Sequence, residues 1–161
     1  MSIDTRLPAG TTFEGDWHHV LSTVFAPLDE QSPRGPYGFE PEEFGTLTRG
    51  QQAVFNLRWL RDFIEADTFL AYWDEPGLRA HSGRLVEDAH LTGADAFAPV
   101  IGEMVALVGD EPAEPPFQDD YLSVVERLER KLFDLEKQHG QLWDVLADYI
   151  RSTPDEFVRE S

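Results

Sequence analysis

Apolar residues recur at spacings of three and four through most of the chain and alternate with period two almost nowhere, which predicts helices and no sheet. Val20, Leu21, Val24 and Phe25 share one helical face behind Asp16, a suitable N-cap. From Pro27 to Gly45 the prolines Pro27, Pro33, Pro36 and Pro41, with Gly35 and Gly38, predict an irregular surface arm anchored by Tyr37, Phe39 and Phe44. A helix then starts near Leu47, where Thr48 and Gln51 have capping-box spacing, and carries Val54, Leu57, Leu60 and Ile64 on one stripe. Asp67 is placed to cap a further turn through Phe69, Tyr72 and Trp73, which Asp74-Glu75-Pro76-Gly77 ends.

Leu78, Leu85 and Ala89 predict a third helix, and Phe97, Ile101, Val105 and Val108 a fourth, beyond the junction Thr92-Gly93-Ala94-Asp95. Past a Pro-rich acidic loop over 110–120, Val125, Leu128, Leu132 and Leu135 form one stripe, His139-Gly140 interrupts it, and Leu142, Val145, Leu146, Tyr149 and Ile150 form another. Thr153-Pro154-Asp155-Glu156 predicts a short last helix capped by Thr153. The expected fold is all-α: a single-domain bundle of about six helices, in which residues 1–46 supply a short helix and a Pro/Gly-rich arm and residues 47–161 the acidic helical domain.

Charge narrows the function. Thirty-one acidic residues against 13 basic ones leave a net charge of −18 over 161 residues. Direct nucleic-acid binding needs a basic footprint and is excluded by that sign. With no cysteine, disulfides, thiolate metal sites and a cysteine nucleophile are excluded too. No window approaches the ~18 apolar residues of a membrane span, and no basic-then-apolar leader opens the chain. The expected location is cytoplasmic, with no membrane partner.

A negative average alone does not imitate a nucleic acid. A compact protein of this mass exposes roughly 8,000 Å², or about one net charge per 450 Å², whereas B-DNA carries one per roughly 100 Å². A mimic must gather its acids on one face. Glu40, Glu42 and Glu43 lie together without a base, as do Glu111, Glu114, Asp119 and Asp120; Asp144 and Asp148 repeat at i, i+4, about 6 Å apart on a helix. Such clusters cost stability through repulsion that lysines would relieve. The bland alternative is a solvated acidic face, and the helix over 121–138, with Glu126, Arg130 and Asp134 at i, i+4, reads as salt-bridge-laced scaffold.

Several segments carry a resemblance. The helix Gln52-Ala53-Val54-Phe55-Asn56-Leu57-Arg58-Trp59-Leu60, the aromatics Phe69, Tyr72 and Trp73, the Thr92-Gly93-Ala94-Asp95 junction and the stretch from Leu142-Trp143-Asp144 to Phe157 resemble the small, acidic, all-helical bacterial DNA-mimic proteins. The likeness runs from about Leu47 to Phe157 and departs where Ala66-Asp67-Thr68 stands before Phe69 in place of an Asn-Gly-Gly turn. It implies a non-enzymatic protein that covers the nucleic-acid-binding surface of a basic DNA-binding protein, a repressor or nucleoid protein, and inhibits or titrates it. Glu40, Glu42, Glu43, Glu111, Glu114, Asp119, Asp120, Asp144 and Asp148 would stand in for backbone phosphates, with no cofactor or metal. A two-fold repressor as partner would favour a homodimer.

Two other readings use the same residues. An immunity-type inhibitor of a basic nuclease toxin relies on the same electrostatics with one cognate partner. A carboxylate/His metal site would draw on Glu87/His90 and Glu136/His139, two Glu-x-x-His pairs of the di-iron spacing. Both histidines fall at predicted helix C-termini, where the helix dipole explains them without a metal. Asp16 with His18 and His19 is a weaker metal candidate, since adjacent histidines on a helix point apart. Trp59, Trp73, Tyr72 and Phe69 read as core, while Trp17 and Trp143 are available as interface anchors.

Overall fold

A computed structural model describes residues 5–31, 41–108 and 119–160, with side chains at all of these except 31, 41, 42 and 119–121. The described residues form helices and no strand; one isolated parallel bridge joins Leu7 to Val158. The elements are α1 (Trp17–Gln31), α2 (Pro41–Phe44), α3 (Arg49–Ala66), α4 (Leu70–Asp74), α5 (Pro76–Arg79), α6 (Leu85–Leu91), α7 (Ala98–Val108), α8 (Asp119–His139) and α9 (Leu142–Ser152). Turns of 3-10 helix at Ser82–Arg84, Asp95–Phe97 and Pro154–Glu156 join or end them. Six of these helices are seven residues or longer; the sequence pattern does not resolve the single turns α2, α4 and α5 from their neighbours.

α3 is the axis of the fold. Its start follows from local chemistry: the Thr48 hydroxyl accepts from the Gln51 N–H at 3.1 Å while the Gln51 side chain accepts from the Thr48 N–H at 2.9 Å. Gly50 is required here, because a Cβ would sit 2.9 Å from the Tyr149 hydroxyl and 3.0 Å from Glu156 Cβ. Val54, Leu57, Leu60 and Ile64 are buried, and so are polar Gln51, Gln52, Asn56 and Arg61 of the same helix. A helix buried nearly all round must satisfy its polar groups internally. Gln51 Nε2 accordingly donates to Thr5 Oγ1, and Gln52 Nε2 to the Phe44 and Leu47 carbonyls.

α1 closes over α9, burying Val20, Leu21, Val24, Phe25 and Leu28. Asp16 caps it, accepting from the His19 N–H at 3.1 Å. The helix runs through Pro27 to Gln31 instead of stopping at the proline, and Leu28, fully buried just past it, gives the reason. The irregular arm therefore does not begin at Pro27. Phe44 is buried against Phe55 and His81, as an anchor should be; Tyr37 and Phe39 lie outside the described residues. Residues before 46 contribute Leu7, α1 and Phe44 to the same core as the rest of the chain.

Two caps differ from expectation, one through a tertiary partner and one through a carbonyl of the preceding helix. Asp67 is exposed and ends α3; the Phe69 N–H instead donates to Glu129 of α8 at 2.9 Å. Thr153 turns its hydroxyl back to the Tyr149 carbonyl at 2.7 Å, and the last turn is 3-10. The stripes of α8 and α9 bury Val125, Leu128, Leu132, Leu142, Leu146 and Ile150, with Leu135, Val145 and Tyr149 half-buried.

Candidate functional site

The proposed phosphate-mimicking acids fall into three groups. Glu40, Glu111 and Glu114 lie outside the described residues, and for Glu42, Asp119 and Asp120 only the helical backbone is described. Glu43 is half-buried on α2, with Oε2 buried and unpartnered among the described residues. Asp144 and Asp148 are exposed on α9, where the i, i+4 spacing holds, but Asp148 is bridged to Arg151 at 3.1 Å. Within the described residues, then, Asp144 alone of the nine is exposed without a cationic partner.

The disposition of the cations shapes the rest of the surface. Arg61 is buried and forks onto Glu136 through two bonds of 2.8 and 3.0 Å. Arg49 reaches fully buried Asp88 at 2.5 Å, a carboxylate that also accepts from Asn56 Nδ2 at 2.9 Å. Burial pushes the Asp88 carboxyl above the ordinary range, against these two donors. Arg58 is shared by Asp62 at 3.2 Å and Asp29 at 3.7 Å. Arg79 and Arg84 donate to the Trp73 carbonyl and the Gln52 side chain, and Arg151 to the Phe13 and Gly15 carbonyls. Each is held on the protein's own acceptors. Asp67, Asp74, Asp144 and Asp155 are exposed with no cationic partner among the described residues.

α8 departs from the salt-bridge ladder expected of it. Neither Glu126–Arg130 nor Arg130–Asp134 closes; Lys131 instead crosses to Glu103 of α7 at 3.0 Å, and Lys137 meets Asp134 at 3.9 Å. Glu129, the cap of Phe69, is held above the usual carboxylate range, first by burial.

The carboxylate–histidine pairs do not assemble. Glu136 points into the core, onto Arg61 and the Leu142 N–H at 2.8 Å, while His139 is exposed. Glu87 faces Arg49 at 3.9 Å and His90 faces Asp95 at 2.7 Å. Among the described residues no three His, Asp or Glu side chains gather as a metal site. His81, without a partner in sequence, stacks on Phe44 with centroids 3.6 Å apart, and burial, helped by Arg84, pushes it down to about 4. Tyr72 and Trp73 are core.

Trp17 and Trp143 stack face to face, centroids 5.3 Å apart and planes 10° from parallel. They wall a groove of about 180 Å³ with Phe25, Arg58, Asp62 and Glu65. Nothing in the sequence links two tryptophans so far apart; only the docking of α1 on α9 does. No described helix is long and apolar enough to cross a membrane. The chain matches no protein-family model, no curated protein and no solved structure.

Proposed function

We propose that this is a non-catalytic, cytoplasmic acidic protein that occupies the nucleic-acid-binding surface of a basic DNA-binding protein, and so inhibits or titrates it. The supporting observation is the inward use of cations. Seven of the ten described arginines, Arg49, Arg58, Arg61, Arg79, Arg84, Arg151 and Arg159, are held on the protein's own carboxylates, amides, carbonyls and rings, which leaves much of the excess of −18 to the solvent face. A surface selected for solubility alone would interleave both signs. The field steers association, which should be fast and weaken with salt.

Capture from a source lysate on the immobilised protein, eluted by duplex DNA in one run and by a salt gradient in another, tests the reading. A basic DNA-binding protein released by both supports it, and no DNA-released protein at low salt overturns it. Reversing Glu111, Glu114, Asp119 and Asp120 together to lysine is expected to abolish that capture while helicity is unchanged; full retention would move the contact to another acidic face.

A further inference from the structure

Two depressions adjoin along α3, the first where it meets α1 and α9. One, of about 180 Å³, is walled by the Trp17–Trp143 stack, Leu21, Phe25 and Arg58. The other, of about 310 Å³, is walled by Trp59, Phe63 and Ala66. Asp62 and Glu65 line both, so they form a carboxylate ridge with aromatic walls on either side.

Charge selects the occupant. Arg58 bridges both Asp62 and Asp29, Arg61 also acts on Asp62, and burial still pushes both carboxyls above their ordinary range. Glu65 adds to that rise at Asp62; it is largely exposed, and its ion pair among the described residues is with Arg61 Nη1, at 3.7 Å. Among the described residues four carboxylates, Asp29, Asp62, Glu65 and Glu136, share the two guanidiniums of Arg58 and Arg61. The chain's own arginines show what fits such surroundings: Arg58 lies over Trp59 at 3.8 Å and Phe25 at 4.4 Å, and Arg61 over Phe133 at 4.9 Å and Trp143 at 5.6 Å. A planar guanidinium can stack on a ring and fork to a carboxylate together, which a compact, strongly hydrated ammonium cannot.

We propose that this double groove seats arginine side chains of a basic protein segment, their planes against the aromatic walls and their N–H groups on Glu65 and Asp62. The inference rests on the reading of the partner as a basic protein. It does not require that the acids imitate phosphates.

The test is titration of the full chain at low salt with a capped tetra-arginine peptide, followed by calorimetry and by the four tryptophan indole N–H signals, assigned from single Trp→Phe variants. The Trp17, Trp59 and Trp143 signals should shift saturably, and tetra-lysine should bind more weakly. Asp62→Asn with Glu65→Gln should weaken tetra-arginine roughly three- to tenfold, and Asp144→Asn with Asp148→Asn far less. Because Asp62→Asn also loosens Arg58, Glu65→Gln alone is the second variant, with a loss of roughly two- to threefold at unchanged helicity. Binding that ignores both groove variants, leaves the indoles unmoved or fails to distinguish arginine from lysine would overturn the groove while the basic-partner reading stands. No binding of tetra-arginine at all would overturn both.

Discussion

Removing the buried carboxylate of Glu136 tests the account of how the bundle is held together. Glu136 accepts two bonds from Arg61 of α3 and one from the N–H of Leu142, whose helix has no side-chain cap of its own from Gln141. One side chain of α8 thereby ties α3 to the start of α9. Glu136→Leu leaves a guanidinium that is 4 % exposed with exposed Glu65, at 3.7 Å, as its carboxylate among the described residues, and an N–H without an acceptor. Breaking a buried pair from one side costs about 3–5 kcal/mol, a large part of the 5–15 kcal/mol of a typical domain. With a urea slope of about 2 kcal/mol/M, the midpoint should fall by roughly 2 M. Adding Arg61→Met removes the stranded charge, and the double variant should lie within about 1–2 kcal/mol of the parent, the remainder being the Leu142 N–H. Urea unfolding followed by circular dichroism gives all the values. A Glu136→Leu loss below about 1 kcal/mol, or a double variant no better than the single, would refute the idea that the charges depend on each other.

Other consequences can be measured in the same way. His81 titrates at about 4 when folded and near 6.5 when unfolded, so the unfolded chain binds the proton first and stability should drop as pH falls from 6.5 towards 4. The contribution is at most about 3 kcal/mol, and the raised carboxyl of Asp88 acts in the opposite direction. The difference between parent and His81→Phe across that range isolates the histidine; parallel curves would disprove its burial as a neutral ring. Gly50→Ala, which in an open helix would stabilise by roughly 1 kcal/mol, should instead destabilise by about 1–3 kcal/mol by pressing on Tyr149 and Glu156. Thermal melts of Gly50→Ala with and without Tyr149→Phe check it: removing the hydroxyl should recover part of the loss.

What could be read in advance divides by the range of the forces. The α3 start was legible because Thr48 and Gln51 satisfy each other within one turn. Asp16 at the head of α1 was legible for the same reason. The Asp67 cap loses to Glu129, 60 residues from Phe69, whereas the Thr153 cap loses to an equally local acceptor, the carbonyl of Tyr149 one turn back. Pro27 is a helix breaker by local rules, yet Leu28 is buried just beyond it. Glu136 drew notice for its spacing to His139, and its real partner, Arg61, stands 75 positions away. The groove was invisible for that reason also: the sequence offers Trp17 and Trp143 as separate residues, and packing alone makes them one wall.

The docking of α1 on α9 also sets a timetable. The apolar face of α1 has its chief cover in a helix that begins more than a hundred residues later, and the Leu7 backbone bonds to Phe157 and Arg159. At a synthesis rate of about 5–20 residues per second, α1 waits roughly 6–25 s on the ribosome with Val20, Val24 and Leu28 uncovered. Closing so long a loop is slow compared with forming the α3–α6–α7 contacts, which span shorter separations, 32 and 39 residues at Asp88. The Trp17–Trp143 wall cannot form before α9 is made, and a chain halted before Leu142 would leave the apolar stripe of α1 without its α9 cover.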